Sequence, residues 1–293
     1  MNDHRLAYHM DSWIALAITL AALVIAIGLS HRSARVRAYS TALAAIACGL
    51  TVLWLFFTFS TGIMENPRPA LFPTDGIKPT VLYVQAGLFA LACVFLIGVS
   101  RWQLRSTNEL DLPLTNSTDK FGRLSRCLHW TTAILIIALV PMGIFTSMIP
   151  EDLAWRQGYY VVHKTVGIVA LILLAVRVLW HLFGSRRPGL DSDLKPWERF
   201  LAHVVHGLLY VLMLMLPITG FVMSTYGGKL SHFFIWDLPL WWGEDLEAIK
   251  PWGLFHKLAL PFLFYAIFLA HVLGALKHYF IDKHRESIHR MVS

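Results

Sequence analysis

Long apolar runs recur seven times along this chain of 293 residues, and polar segments separate them. At 1.5 Å per residue, a helix of about 20 residues crosses the ~30 Å hydrocarbon core of a bilayer. The pattern therefore predicts an all-α, polytopic membrane protein with seven transmembrane helices, at about 12–30, 38–60, 80–100, 128–148, 160–183, 202–224 and 253–277.

A polar segment rich in Ser, Thr and Asn divides these runs into two groups. We interpret residues 106–126 as a cytoplasmic linker between an N-terminal module over 1–105 and a C-terminal domain over 127–293. The module contains the first three predicted helices, and its role is unknown. The domain contains the other four. Its longest outer loop, at about 225–252, is rich in Trp and is expected to lie along the membrane surface.

Composition supports the membrane interpretation and orients the chain. Hydrophobic residues make up 56% and charged residues 15%, and the mean hydropathy is +0.57, which excludes an ordinary soluble domain. Seventeen of the 25 Lys and Arg residues fall on one side of the predicted membrane. The positive-inside rule then places the N-terminus outside and the C-terminus in the cytoplasm. The net charge of +7 is thus a topology signal, and no nucleic-acid partner is expected.

The three cysteines exclude several kinds of metal centre. The chain contains no C-x-x-C-H motif for covalent c-type haem, and no Cys cluster for an iron–sulfur or zinc centre. Packing accounts for Cys48, Cys93 and Cys127.

Histidines concentrate in the C-terminal half. The first three predicted spans contain none, whereas the last four spans and their edges contain eight: His129, His163, His181, His203, His206, His256, His271 and His278. Because an ionisable residue inside a membrane is costly, it is a functional candidate by default. Any redox or binding chemistry is therefore expected in the C-terminal domain.

The predicted topology gives four of these histidines a depth. His163 and His256 lie near the outer face, and His129 and His271 lie near the inner face. His256 and His271 are fifteen residues apart, or roughly 22 Å along one helix. Each pair at one depth is able to bind a haem through both axial positions, which leaves no open iron position for O₂ and suits electron transfer. Four imidazoles also suit zinc, but pairs so far apart cannot share one ion.

Other histidines and cations near the inner face leave alternatives open. His203 and His206 are one turn apart on the same side of their helix. Either could replace His129 or His271 as a ligand, line a quinone pocket or hold a haem propionate. His181 ends its span, where we expect it to reach the surface. A cationic inner rim for haem propionates or a quinone carbonyl is expected from His181, Arg126, Arg177, Lys277 and His278. A single membrane histidine also has the simpler role of bonding to a neighbouring helix.

Four segments of the C-terminal domain resemble a known family. They are RLSRCLHWTTAILI, VVHKTVGIVALILLAVRVLWH, LAHVVHGLLYVLMLMLPITGFVMS and FHKLALPFLFYAIFLAHVLGALKHYFIDK. On these motifs, residues 120–293 resemble the prokaryotic cytochrome b561 family. The resemblance implies two b-type haems, a quinone partner such as ubiquinone, and electron transfer in the bacterial inner membrane. It places the iron ligands at His129, His163, His256 and His271.

The chain departs from the family pattern in two ways. The two ligands of the last helix are usually spaced fourteen residues apart, and here the spacing is fifteen. Pro261 lies between them, and a proline inside a helix permits a π-bulge that would absorb the extra residue. Without such a bulge, His256 is the least secure ligand. The three N-terminal helices are an addition to the usual four.

Three functions are compatible with the sequence. The first is a quinone-linked oxidoreductase that accepts electrons at the outer face, with superoxide as a donor that members of this family are thought to use. Lys164 and Lys257 would supply a local positive patch for that anion, although the outer loops are slightly acidic overall. The second is an electron-relay anchor subunit of a dehydrogenase or hydrogenase complex, with a periplasmic or membrane redox partner. The third is a haem-free transporter with a histidine relay. The oligomeric state is not predicted.

Overall fold

The computed structural model describes most of the C-terminal domain and parts of the N-terminal module. The described residues are 19–27, 33, 35–46, a few positions between 90 and 105, 113–148, 156–189, 194–233, 236–284 and 286–292. Most of the second and third predicted spans lies outside these ranges. The count of seven spans therefore stays a prediction.

Four long helices form the C-terminal domain, and all four are long and apolar enough to cross a membrane. The first three are α1 (Arg123–Met148), α2 (Arg156–Leu179) and α3 (Pro196–Tyr226). The last consists of α4 (Ile249–Leu254), a π-helical turn (Phe255–Ala259) and α5 (Leu260–Phe280). A second π-helical turn, Trp180–Gly184, extends α2, and a short helix α6 (Glu286–Val292) follows α5.

All four helices begin earlier than the apolar runs predict, and α3 and α5 also end later. The fourth predicted span, for example, starts at 128, whereas α1 starts at Arg123 and takes the last residues of the predicted linker into the helix. Hydropathy detects only the part of a helix that faces hydrocarbon, and polar end turns continue the same hydrogen-bonded ladder into the interface.

A small β-hairpin interrupts the otherwise helical domain. Strands β1 (Ser231–Phe233) and β2 (Trp236–Leu238) are antiparallel, with Ser231 opposite Leu238. They lie in the Trp-rich outer loop, for which the sequence predicted no strand. Three-residue strands are too short to show the alternation that identifies a strand in a sequence.

The core of the domain is formed by all four helices together. Its buried side chains are Leu135, Ile136, Val140, Val162, Val166, Ala170, Leu212, Leu216 and Phe264. Ala22, in the helical segment 19–27, belongs to the same core and is 3% exposed. Small residues allow membrane helices to approach closely. This part of the N-terminal module therefore packs directly against the C-terminal domain.

The C-terminal helix α6 folds back onto the inner end of α1. The Trp130 indole N–H donates to the Met291 carbonyl at 3.0 Å, and the Arg126 guanidinium donates to the His289 carbonyl at 3.1 Å. Arg290 donates to the carbonyl of Gly189, between α2 and α3, at 2.6 Å. These contacts close the inner end of the helices around the first turns of α1.

Candidate functional site

The histidines form two clusters at opposite ends of the domain. In the outer cluster, the ring centroids of His163 on α2 and His256 in the π-helical turn lie 6.1 Å apart with the planes at 79°. In the inner cluster, His206 on α3 and His271 on α5 lie 5.1 Å apart at 73°. His129 on α1 interacts electrostatically with both inner rings. Grouped imidazoles therefore lie at both ends of the domain, and the assignment of these ends to the outer and inner faces stays a prediction.

The π-helical turn determines how His256 faces its neighbours. The Leu260 N–H donates to the carbonyl of Phe255, five residues back, just before Pro261. A π turn contains one residue more than an α turn. It reduces the effective spacing of His256 and His271 to fourteen, which brings them within about 40° of each other on the helix. The bulge expected beside Pro261 is confirmed.

Helix backbone holds both outer imidazoles. The Nδ1 atom of His256 lies 2.9 Å from the Leu216 carbonyl and 3.4 Å from the Thr219 hydroxyl, so this nitrogen carries the proton that bonds to the carbonyl. His163 bonds to the backbone of Leu139, and among the described atoms its buried Nδ1 has no partner. One nitrogen of each ring is thus held, and the other is available to a metal.

Two glycines make room for the outer imidazoles. A Cβ atom on Gly143 of α1 would lie 2.9 Å from the Cε1 atom of His163. A Cβ atom on Gly220 of α3 would lie 2.6 Å from the Cε1 atom of His256. Neither residue is among those predicted from the sequence. The available signal was the position of each glycine inside an apolar helix, at the depth predicted for the outer histidines.

The inner histidines divide between interior and surface. His203 is exposed, and its Nδ1 bonds to the Arg199 carbonyl of the same helix at 2.7 Å. His206, one turn on, faces His271. The buried Nδ1 of His129 has no hydrogen-bond partner within the described part of the chain. The structure therefore brings His129, His206 and His271 together and leaves His203 outside the cluster.

The predicted cationic rim is divided among separate contacts. Arg126 donates to the carbonyls of Phe121 and His289, because α6 covers it. His181 is buried at 9% exposure, which corrects its expected surface position, since the π-helical turn directs it toward Phe121 and the Ser185 carbonyl. Arg177 remains beside the inner imidazoles and interacts electrostatically with His129 and His271.

Lys277 and His278 belong to an ion-pair network that joins α3 to α5. The Lys277 ammonium lies 2.7 Å from Glu198 and 2.6 Å from Asp282, and His278 Nδ1 lies 2.7 Å from Asp282. The hydrogen bond from Lys277 holds the pKa of the Asp282 carboxyl below its ordinary value. Both side chains are therefore engaged by carboxylates rather than turned to a rim. The lysine also occupies the space between the carboxylates of Glu198 and Asp282, which with His278 have the spacing of a metal site.

Comparison with known proteins places these features in a family. A model described as prokaryotic cytochrome b561 matches residues 120–293, which include both clusters. The chain belongs to the prokaryotic cytochrome b561 family. It is accordingly a membrane electron-transfer protein of a family that binds haem b.

Three relatives match stretches of similar length. The chain is 30% identical over 173 residues to Cytochrome b561 homolog 2 of Escherichia coli (strain K12), which is 59% of this chain and 91% of that protein. It is 25% identical to Probable superoxide oxidase CybB of Yersinia pestis, over 56% of this chain and 91% of the relative. It is also 25% identical to Cytochrome b561 homolog 1 of Escherichia coli (strain K12), over 56% and 93%.

The geometry of the outer cluster is compatible with haem. Two metal–imidazole bonds of about 2 Å each, with half a ring on either side, separate ring centroids by about 6 Å. The observed 6.1 Å between His163 and His256 matches that span. The unpartnered Nδ1 atom of His163, among the described atoms, and the glycine recesses at Gly143 and Gly220 add to the fit.

Proposed function

We propose that this protein is a di-haem b cytochrome that passes electrons between a donor at the outer face and the quinone pool. The outer cluster carries the proposal, because two imidazoles from different helices lie at the right separation and are held by helix backbone. Haem b, when bound, supplies a one-electron couple at each site.

The four histidines at matching depths are the proposed axial ligands. His163 and His256 would hold the outer haem, and His129 and His271 the inner one, with His206 as a close neighbour. The Leu216 carbonyl fixes the ring of His256 and raises the basicity of its other nitrogen. Ligation by two imidazoles leaves no open position for O₂, which suits electron transfer.

Superoxide is the outer donor that we propose, with ubiquinone as the acceptor, which makes the protein an oxidoreductase. The name of the Yersinia relative, Probable superoxide oxidase CybB, supports this choice. The source of the positive patch differs from the sequence expectation. The Lys164 ammonium bonds to the Ser224 hydroxyl at 2.5 Å and the Leu230 carbonyl at 2.9 Å, so it ties α2 to the outer loop. Exposed Lys229 and Lys257 are the cations that would attract an anion.

A relay subunit of a dehydrogenase or hydrogenase complex is the second candidate. Residues 1–119 lie outside the family match, and the segment 19–27 packs on the domain, so the N-terminal module adds surface that a partner subunit is able to use. Purification from native membranes separates the two candidates. A single chain that reduces ubiquinone with superoxide supports the first, and obligate co-purification of a redox subunit supports the second.

Redox-difference spectra with haem quantitation test the di-haem assignment. We expect two b-type haems per chain, and His256→Ala should retain only the inner one because the outer site loses a ligand. His203→Ala is the matched control, since that exposed histidine bonds only to its own helix, and it should retain two. A purified chain without a Soret band would contradict both redox candidates and leave the histidine-relay transporter.

A further inference from the structure

Two arginines stack on one tyrosine at the inner end of the domain. The Arg177 guanidinium on α2 lies 5.3 Å from the ring centroid of Tyr210 on α3, and the Arg187 guanidinium, after α2, lies 4.8 Å from it. A cation over an aromatic face is favourable, and more so when it is removed from water. We call these three residues the guanidinium stack.

Polar atoms of the guanidinium stack are buried without the partners that burial requires. In the described part of the chain, neither the Tyr210 hydroxyl nor the Arg177 Nε has a hydrogen-bond partner. The ion pairs found among those residues engage Lys250, Lys277 and His278, and neither arginine of the stack takes part. A buried guanidinium N–H and a buried phenol hydroxyl without partners are costly, and both are donors, which indicates that an anion completes the stack.

The guanidinium stack lies beside the inner imidazoles. Arg177 interacts electrostatically with His129, His206 and His271, and Arg187 interacts with His206. An anion bound at the stack would therefore also lie next to the proposed inner haem.

We propose that the guanidinium stack binds the propionate carboxylates of the inner haem and sets its midpoint potential. The proposal rests on the di-haem function above. Planar guanidinium groups bind carboxylates through two parallel hydrogen bonds, and the tyrosine hydroxyl supplies a further donor. Positive charge beside the haem favours its reduced form, so the stack raises the potential of the inner haem relative to one with uncompensated propionates.

The test uses redox titration of a single-haem background. His256→Ala should leave only the inner haem, so its midpoint potential is measured without overlap. In that background we expect Arg187→Gln to lower the equilibrium constant for reduction of the inner haem about tenfold. This corresponds to a fall of about 59 mV in the midpoint potential for one electron. Tyr210→Phe should move it in the same direction by less. Arg186→Gln is the control, because Arg186 is equally exposed and adjacent but lies outside the stack.

The outcomes separate this proposal from the function on which it rests. Haem retained at an unchanged potential in both Arg187→Gln and Tyr210→Phe would overturn the stack as a propionate site. Loss of a co-purifying anionic phospholipid from Arg187→Gln, at unchanged potential, would overturn it in favour of a lipid headgroup. Absence of haem from the unsubstituted protein would instead reject the di-haem function. If Arg187→Gln is poorly produced, Arg187→Lys replaces it in the test. Lysine keeps the charge but cannot form two parallel hydrogen bonds to a carboxylate, so the midpoint potential of the inner haem should shift by less.

Discussion

At the scale of single residues, the outer site depends on small backbone positions as much as on imidazoles. Gly143 and Gly220 lie where a Cβ atom would collide with His163 and His256. The Leu216 carbonyl then fixes the orientation of His256. Substitutions that never touch a ligand should therefore control whether the outer haem binds.

Gly220→Ala tests this dependence. The new Cβ would lie 2.6 Å from the Cε1 atom of His256 and should push the ring from its position, so we expect haem content to fall from two to about one per chain. Gly207→Ala, on the same helix, is the matched control because its Cβ would meet no described atom within 4 Å. Equal haem content in the two variants would show that the recess is not needed. Haem extraction and quantitation on purified protein gives the answer.

An ion pair at the inner end gives a residue-scale prediction for stability against pH. Lys277 lowers the pKa of Asp282, so their ion pair adds to the free energy of unfolding wherever Asp282 is ionised. This contribution is fully present above the unfolded-state pKa of about 3.9 and is lost as the pH falls through the lower folded-state pKa. The variant Asp282→Asn lacks the contribution of this ion pair at every pH. The Tm of this variant in detergent should lie below that of the parent at pH 7, and the gap should close below about pH 3.9.

Asp119→Asn serves as the control for the pH series, since Asp119 is exposed and lies before α1. Its Tm should follow that of the parent at every pH. A gap for Asp282→Asn that stays constant into acid would show that packing, rather than the charge of Asp282, causes the difference.

At the scale of elements, the π-helical turn is the feature that reconciles the fifteen-residue spacing with the two proposed ligand positions, His256 and His271. It inserts one residue between α4 and α5 and leaves α5 in phase with the inner cluster. The sequence pointed to it through Pro261 and the excess residue. The π-helical turn at the end of α2, in contrast, has no comparable sequence signal and was missed.

Deletion variants test the role of the turn. Removing Leu258 from the turn restores fourteen residues and should convert it to an α turn, so we expect two haems to remain. Removing Leu269 from α5 should rotate one histidine by about 100° relative to the other and lose a haem. Both leucines are exposed, at 63% and 54%, so neither deletion removes a core side chain. A difference in haem content between the two variants would therefore not come from lost packing. Identical spectra for the two deletions would contradict the proposed role.

At the scale of the whole molecule, the orientation follows from charge and stays a prediction. The connection after α2 is basic and should face the cytoplasm, and the β-hairpin loop should face outward. In a variant without native cysteines, Glu244→Cys should react with a membrane-impermeant maleimide in intact cells, and Arg186→Cys only after permeabilisation. The reverse labelling pattern would invert the assignment of outer and inner haem.

The sequence by itself determined the membrane class, the four helices of the C-terminal domain and the family, and it predicts the depths of the histidines. These properties depend on hydropathy, on helical periodicity and on charge in nearby loops, which are local along the chain. The same reasoning placed the extra residue near Pro261.

Only the tertiary structure decided which polar atoms meet. His256 bonds to a carbonyl 40 residues away, and Lys277 to a carboxylate 79 residues away. The glycine recesses, the split between His203 and His206, the division of the predicted cationic rim and the guanidinium stack all depend on how distant helices cross and rotate against one another. Side chains one turn apart differ in environment according to that rotation, and hydropathy and periodicity along one helix do not specify it.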